Sequence, residues 1–443
     1  MNRIRIYGAG LAGCEAAWQA AKRGVFVELY EMKPQKKSPA HKADTFAELV
    51  CSNSLRSDDV TSGIGLLKEE LRRMGSLIME AAEASRVAAG SALAVDRVKF
   101  SDYVTEKIRS CPRIEVIEKE VAEIPDDGIT VVATGPLTSD ALAKTISDMI
   151  GGDSLYFFDA AAPIVDFASI DMTKAYFASR YGKGTPDYIN CPMNEAQYKA
   201  FYEALVTAEE AELHDFDKNT KLKIFEGCMP VEIMAKRGED TLRFGPMKPV
   251  GLDNPETGES YYAVVQLRRE DDIGTMFNIV GFQTHLTFPE QRRVFRLIPG
   301  LENADFLRYG VMHRNTFLNS PDLLTKDYAL RSNQNVFFAG QMTGVEGYIE
   351  SAASGFVAGV AASCRAHGCE APDYTNKTMI GAMAEYVSHG GSGDFQPMNA
   401  NFGLIAPAEM KIKGGKKPRY EYYARRALET IATVDIREDL SAE

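Results

Sequence analysis

The sequence predicts an α/β protein: a Rossmann-like dinucleotide-binding domain, interrupted by an inserted α+β domain and followed by a helical C-terminal region. Three observations predict it. The chain opens on a β-branched run, Ile4-Arg5-Ile6-Tyr7, that feeds into Gly8-Ala9-Gly10-Leu11-Ala12-Gly13 and an Ala-rich helix. A second glycine-rich strand-to-helix unit follows much later, at Gly340 to Gly355. Between them, from about Tyr156, aromatics, Pro and Asp mix with short β-like runs and no further glycine fingerprint appears. The first domain is therefore expected over 1–155 and 325–370, the insertion over 156–324 and the helical tail over 371–443.

Composition bounds the answer. The 443 residues exceed one ordinary core, and 45% hydrophobic with 25% charged residues is globular usage. The longest apolar stretch, Ala352 to Cys364, is broken by Ser and Gly and is too short to span a bilayer. The start runs directly into a strand without a charged-then-apolar leader, so a cytoplasmic protein is expected. Seven cysteines, an odd number, do not make a disulfide framework and suit a reducing compartment. With 50 Lys and Arg against 62 Asp and Glu the net charge is −12, which opposes nucleic-acid binding by the whole surface but not by a local basic patch.

In chain order, Ala16 to Arg23 reads as a helix stopped by Gly24, and Val25 to Glu31 as the second strand. Glu31 closes that strand about 20 residues past the glycines, where an acid accepts hydrogen bonds from adenosine ribose hydroxyls. Pro34 to Gly63 is expected as a long functional loop containing Leu49-Val50-Cys51-Ser52-Asn53-Ser54-Leu55-Arg56. Leu66 to Arg86 reads as one amphipathic helix and Lys99 to Arg109 as another. Ile114 to Ile117 and Ile129 to Val132 read as short strands, the second ending in the small-residue turn Ala133-Thr134-Gly135-Pro136. In the insertion, Tyr261 to Arg268 and Asn278 to Thr284 are strand-like.

Asn335 to Gln341 reads as a strand leading into Gly344-Val345-Glu346-Gly347-Tyr348 and a helix to about His367. Two glycine units so far apart suit FAD: the first turn holds the ADP end, and the second brings backbone N–H groups to the far end. The tail segment Lys411 to Arg426, with Lys416, Lys417 and Arg419 interleaved with Tyr and Gly, suits a polynucleotide, because cations meet phosphates and rings stack on unpaired bases. A solvated helix face gives the same composition.

Of the cysteines, Cys364 and Cys369 have redox-like spacing, but no second Cys/His pair completes a zinc shell, and no metal is expected. Cys14 reads as a small packing residue, and Cys111 and Cys191 lack cationic company. Cys51 sits in a Ser/Asn/Arg loop where Arg56 or a helix N-terminus lowers a thiol pKa, and Cys228 sits in a turn between Gly227 and Met229-Pro230. On the residues alone, both stay open to a structural reading.

Gly8 to Gly13, Glu48 to Arg56, Phe225-Glu226-Gly227-Cys228-Met229-Pro230, Gly340 to Tyr348, and Phe395-Gln396-Pro397-Met398-Asn399-Ala400-Asn401-Phe402-Gly403 together resemble the folate- and FAD-dependent tRNA (uracil-5-)-methyltransferases of bacteria, relatives of the flavoprotein that modifies the wobble uridine. The resemblance covers nearly the whole chain. It implies methylation at C5 of the T-loop uridine, position 54 of tRNA. It also implies 5,10-methylenetetrahydrofolate as carbon donor and reduced FAD, recharged by NAD(P)H, as electron source. By the same resemblance Cys228 and Cys51 are the reacting pair, Cys228 as the uracil nucleophile and Cys51 as its partner beside the flavin and the one-carbon unit, or in the reverse order. The glycines with Ala9, Leu11, Ala12, Glu31, Gln341 and Tyr348 bind the cofactor. The resemblance also places His285 and Tyr348 near the stacked pterin, with a core or surface role for His285 equally open; Lys36, Lys37, Lys42 and Arg56 are expected to join the basic tail in one positive, tRNA-facing surface. Rival readings are an FAD-dependent small-molecule oxidoreductase, which would want a second complete dinucleotide fingerprint, and an FAD-dependent tRNA-modifying protein without methyl transfer.

Overall fold

The opening β-branched run forms β1 (Arg3–Tyr7), whose Ile4 and Ile6 are fully buried between neighbouring strands. The chain turns through the glycines into α1 (Leu11–Lys22), which stops where Gly24 takes a left-handed φ of +79°, and enters β2 (Phe26–Glu31). Ile4 pairs in parallel with Val27 of β2 on one side and Ile129 on the other. The expected loop from Pro34 to Gly63 carries one strand, β3 (Ser54–Ser57). The single helix expected over Leu66 to Arg86 is two, α2 (Gly63–Arg73) and α3 (Leu77–Ala84). Gly75, at φ +74°, breaks the run, and the Ser76 hydroxyl starts the next helix by accepting from Met79 N at 3.2 Å. The strands β4 (Arg86–Val87) and β5 (Ala92–Val95) join β3 in a small sheet ordered β3-β5-β4. Then come α4 (Arg97–Ser110), capped by Asp96, and β6 (Ile114–Glu118), β7 (Ile129–Val132) and α5 (Asp140–Ile150).

The computed structural model describes residues 2–38, 40–151, 155–160, 162–211, 229–270, 274–310, 312–389, 395, 397–410 and 412–434, with backbone alone at 155–160 and 312–316. A two-stranded antiparallel ladder, β8 (Leu155–Ala160) against the later β15 (Met312–Phe317), leads the chain into and out of a second sheet. In chain order that sheet and its helices are β9 (Ile164–Asp166), β10 (Tyr176–Ala178), β11 (Tyr188–Met193), α6 (Glu195–Val206), α7 (Val231–Lys236), α8 (Thr241–Phe244), β12 (Ala263–Arg269), β13 (Met276–Ile279), α9 (Phe288–Phe295) and β14 (Phe306–Arg308). The strand order is β10-β11-β12-β13-β9-β14, antiparallel throughout, over a separate core that includes Phe201, Val265, Leu267, Phe277 and Phe295. The strand expected over Asn278 to Thr284 ends at Ile279, because Gly281 turns the backbone at φ +78°.

After α10 (Ser320–Leu323) and β16 (Ala329–Leu330), β17 (Asn333–Phe338) returns to the first sheet and pairs in parallel with β7, Val336 opposite Thr130. The first sheet is thus ordered β16-β17-β7-β1-β2-β6, parallel except for the β16–β17 hairpin. The long α11 (Tyr348–His367) lies directly on α1: a Cβ at Gly355 would sit 2.2 Å from Ala12 O, and one at Gly359 2.6 Å from Ala16 Cα. Two further helices, α12 (Met379–His389) and α13 (Lys416–Ile431), pack on α2. Among the described residues, no helix is long and apolar enough to cross a membrane.

Candidate active site

The opening glycines each have a separate physical task. Gly8 holds φ +95° under Ala133, whose carbonyl oxygen would lie 2.7 Å from an added Cβ. A Cβ at Gly13 would fall 1.8 Å from Gly8 O, so only glycine lets α1 start against the strand. Gly10 caps α1 without a side-chain bond, and an added Cβ there would meet nothing within 4 Å. The space in front of this bare helix N-terminus, with its outward N–H groups, fits a pyrophosphate. Glu31, 7% exposed, accepts from Ala9 N at 2.8 Å and Lys33 N at 3.0 Å, which leaves lone pairs on both oxygens for ribose hydroxyls. Gly8, Ala9, Gly10, Glu31 and Lys33 line a cleft of about 1140 Å³, solvent at its mouth included. The same cleft is lined by Ala133 to Ser139 and, at its other end, by Gly340, Gln341 and Tyr348.

That far end is built by the second glycine turn. Gly340 (φ +85°) donates its N–H to the Ser354 hydroxyl at 2.7 Å, and Gln341 donates to Glu346 at 2.8 Å. Gly344 (φ +85°) passes under the Phe395 ring, 2.4 Å from where a Cβ would be, and Gly347 (φ +126°) makes room for the Glu350 carboxylate. The Phe395 to Gly403 segment straps this turn: Met398 N donates to Gly344 O and Glu346 N to Met398 O, each at 2.9 Å, while Ala400 N donates to Glu350 at 3.1 Å. The donor set of the two turns fits a dinucleotide flavin lying between them.

Tyr348, the first residue of α11, lines the cleft and reaches Cys51. Its hydroxyl accepts from Cys51 N at 2.8 Å and Ser52 N at 3.3 Å and lies 2.9 Å from Cys51 Sγ. Burial and the neighbouring Cys51 hold this phenol well above its ordinary pKa, so it is neutral. The loop is clamped from two sides. From α4, Arg97 donates to Leu49 O at 2.8 Å and pairs through Nε with Glu270 at 2.7 Å. Around the second sheet, Arg268 donates to the Ser52 hydroxyl at 2.7 Å and Asn53 at 3.1 Å, and Asn53 donates to Arg269 O at 2.8 Å. Burial first, then repulsion from Arg97, pulls Arg308 of β14 below the usual arginine range.

The other expected site residues are dispersed. Cys228 lies outside the described residues; Met229 and Pro230 lead from it into α7, where the buried Glu232 accepts from His285 N at 2.7 Å and the Thr284 hydroxyl at 2.9 Å. The structure therefore sets His285 beside the segment that follows Cys228, and Tyr348 beside Cys51. Burial lowers the His285 pKa and raises that of Glu232. Arg56, expected to act on Cys51, is held at φ +65° and pairs with buried Glu350 at 3.2 Å. Lys416, Lys417 and Arg419 are exposed at the start of α13, with the Arg419 guanidinium 5.4 Å from the Tyr420 ring. Lys36 and Lys37 are paired with Glu120 and Asp44, each at 2.7 Å, which reduces the positive face expected there. Sequence reasoning missed Arg97, Arg268, Glu270 and Arg308. The available signal was Arg268-Arg269-Glu270 ending an apolar strand, where charges have to find partners.

A family model described as "Glucose inhibited division protein A" (GIDA) matches residues 3–370. A protein of Acetivibrio thermocellus named methylenetetrahydrofolate--tRNA-(uracil-5-)-methyltransferase TrmFO is 60% identical over 431 residues, covering 97% of this chain and 98% of the relative. Proteins of the same name from Streptococcus thermophilus and Bacillus licheniformis are 57% and 56% identical, covering 97% and 98% of this chain and 97% and 99% of the relatives. Among solved structures, Aquifex aeolicus GidA in two crystal forms superposes with a TM-score of 0.69 at 17% and 16% identity. Those superpositions cover 97% and 98% of this chain and 73% and 77% of the GidA chains, a likeness of fold. With near-complete coverage at such identity, and with the two glycine turns and the Cys51 loop in one cleft, the chain belongs to the TrmFO family of methylenetetrahydrofolate--tRNA-(uracil-5-)-methyltransferases.

Proposed function

We propose that this protein methylates C5 of the T-loop uridine, position 54 of tRNA, with 5,10-methylenetetrahydrofolate as carbon donor and reduced FAD, recharged by NAD(P)H, as reductant. The observation that carries the reading is the place of Cys51: a thiol 2.9 Å from Tyr348, on a loop that ends the cofactor cleft and is clamped by the second domain. The α1 N-terminus with Gly8 to Gly13 and Glu31 holds the ADP end of FAD, and Gly340, Gln341, Gly344, Gly347 and Tyr348 hold the flavin end. When bound, FAD supplies the electrons that take the folate-borne carbon to the methyl level.

The chain's own residues have two tasks. Uracil C5 is a poor nucleophile until a thiolate adds at C6, and its proton has to leave after the carbon is attached. Cys228 is assigned the addition at C6, and Cys51 the partner role beside the flavin and the one-carbon unit. His285, whose backbone N–H is held by Glu232 of α7, is assigned to the pterin pocket. The tRNA is held by Lys416, Lys417 and Arg419 with Arg56.

One assay tests this reading: purified protein with T-loop tRNA, methylene-labelled 5,10-methylenetetrahydrofolate and NADPH. The expected result is labelled 5-methyluridine, with none from S-adenosylmethionine. Flavin-dependent NADPH oxidation without label in the tRNA would overturn methyl transfer. Cys228→Ala and Cys51→Ala should each abolish it.

A further inference from the structure

We infer that Tyr348 is a positioning residue for Cys51: with both lone pairs of its oxygen occupied, its hydroxyl proton is directed at Sγ and, with the guanidinium of Arg97 behind the loop, it holds Cys51 as a thiolate. This deepens the proposed function, since it rests on Cys51 being a reacting group there. The geometry is one of counting. A phenol oxygen has two lone pairs and one proton. Cys51 N and Ser52 N, at 2.8 and 3.3 Å, take the lone pairs, so the contact of 2.9 Å to Sγ is made by the phenol O–H donating to sulfur. A donated hydrogen bond favours the ionised thiol over the neutral one.

The surrounding charges act in the same direction. Arg97 comes from α4, Arg268 and Glu270 from β12 and its end, and Arg308 from β14. Among the described residues, these three guanidinium groups stand with the one carboxylate of Glu270. Glu270 engages Arg97 through Nε, and among the described residues the buried Nη2 has no hydrogen-bond partner. Arg97 and Arg308 each interact electrostatically with both Cys51 and Tyr348. Tyr348 does not compete for the charge, because burial keeps its own proton in place. The proton lost by Cys51 goes to solvent as the loop folds, and the tyrosine proton is never transferred.

The test reads the thiol itself. Flavin-loaded wild-type protein is alkylated with iodoacetamide from pH 5 to 10, and modification of the Cys51 peptide is followed by mass spectrometry. The expected midpoint lies below neutrality, against about 8.5 for an ordinary thiol. Tyr348→Phe, which removes only the hydroxyl, should raise the midpoint by about one unit, a roughly tenfold slower reaction at pH 5, below both midpoints. Arg308→Gln, at a partly exposed site, should move it the same way, and Arg308→Lys should restore most of it. A wild-type midpoint near 8.5, or variant profiles that superpose on wild type, would overturn the inference. A role for Tyr348 in packing alone would change flavin content without moving the midpoint. Because alkylation needs no tRNA or folate, a low midpoint in a protein that fails the methylation assay would strike the proposed function and leave the thiolate standing.

Discussion

Four buried carboxylates tie distant parts of the chain together. Glu15 on α1 accepts from Ser76, Leu77 and Ile78 at the start of α3, and Glu70 on α2 accepts from Met379 N and Ile380 N at the start of α12. Glu350 receives Ala400 N and Arg56, and Glu232 receives His285 N. Each accepts from N–H groups that a helix or strap cannot satisfy itself. At Glu70 burial outweighs those bonds and pushes the carboxyl up to about 7, from an ordinary 4.5. The folded chain then binds more protons than the unfolded one between these values, so this contribution is full below about pH 4.5 and is lost as the pH rises through 7. The span is about 3 kcal/mol. Glu70→Gln, which cannot ionise, should therefore lose least relative to wild type at pH 8 and most at pH 5, read as the difference in Tm across that range. Equal differences at both ends would refute the buried, protonated carboxyl. None of these roles was legible in sequence, where a glutamate in a helix reads as solvated; what marks them is a partner tens or hundreds of residues away.

Elements were legible where local pattern and tertiary demand agree. The unit from β1 through Glu31 satisfies both, because the glycines that write the motif are required by contacts as close as 1.8 Å. The Leu66 to Arg86 helix failed for the opposite reason: Leu71, Met74, Leu77 and Ile78 all face one core, so periodicity continued through a break made by Gly75 and Ser76. Ser76→Ala should cost about 1 kcal/mol or more, since its hydroxyl both caps α3 and donates to Glu15, measurable as a lower urea midpoint. Along α11, Gly355 and Gly359 are spacing residues. Gly359→Val would push its side chain into the Ala16 backbone and should destabilise by about 1 to 3 kcal/mol, with loss of bound flavin at temperatures where Cys51→Ala retains it. Retained flavin and unchanged stability would show that the two helices can part.

At the scale of the molecule, the net charge of −12 coexists with an exposed basic start to α13. Reversing Lys416, Lys417 and Arg419 to Glu should weaken tRNA binding and flatten its dependence on salt, because fewer counterions are released. Unchanged affinity at 50 and 200 mM salt would remove α13 from the tRNA surface. Which cations stay available could not be read from composition: Lys36 and Lys37 turn back onto acids, and only the folded chain shows it.

The glycine contacts between α1 and α11 have a mechanical consequence. Where Gly355 and Gly359 bring α11 onto the Ala12 and Ala16 backbone, no side chain of α11 stands between the helices, and a layer of that thickness leaves little room to slide. The turns at Gly8 and Gly340, although at opposite ends of the sequence, therefore move as a single stiff cradle. The seam with the second sheet is built differently, from side-chain contacts in which Arg97 meets Glu270 and Asn53 meets Arg269 O, with Gly184 close to Gly90. Cys51 sits on that seam, on a loop whose backbone and side chains are tied to Arg97 on one side and to Arg268 and Arg269 on the other.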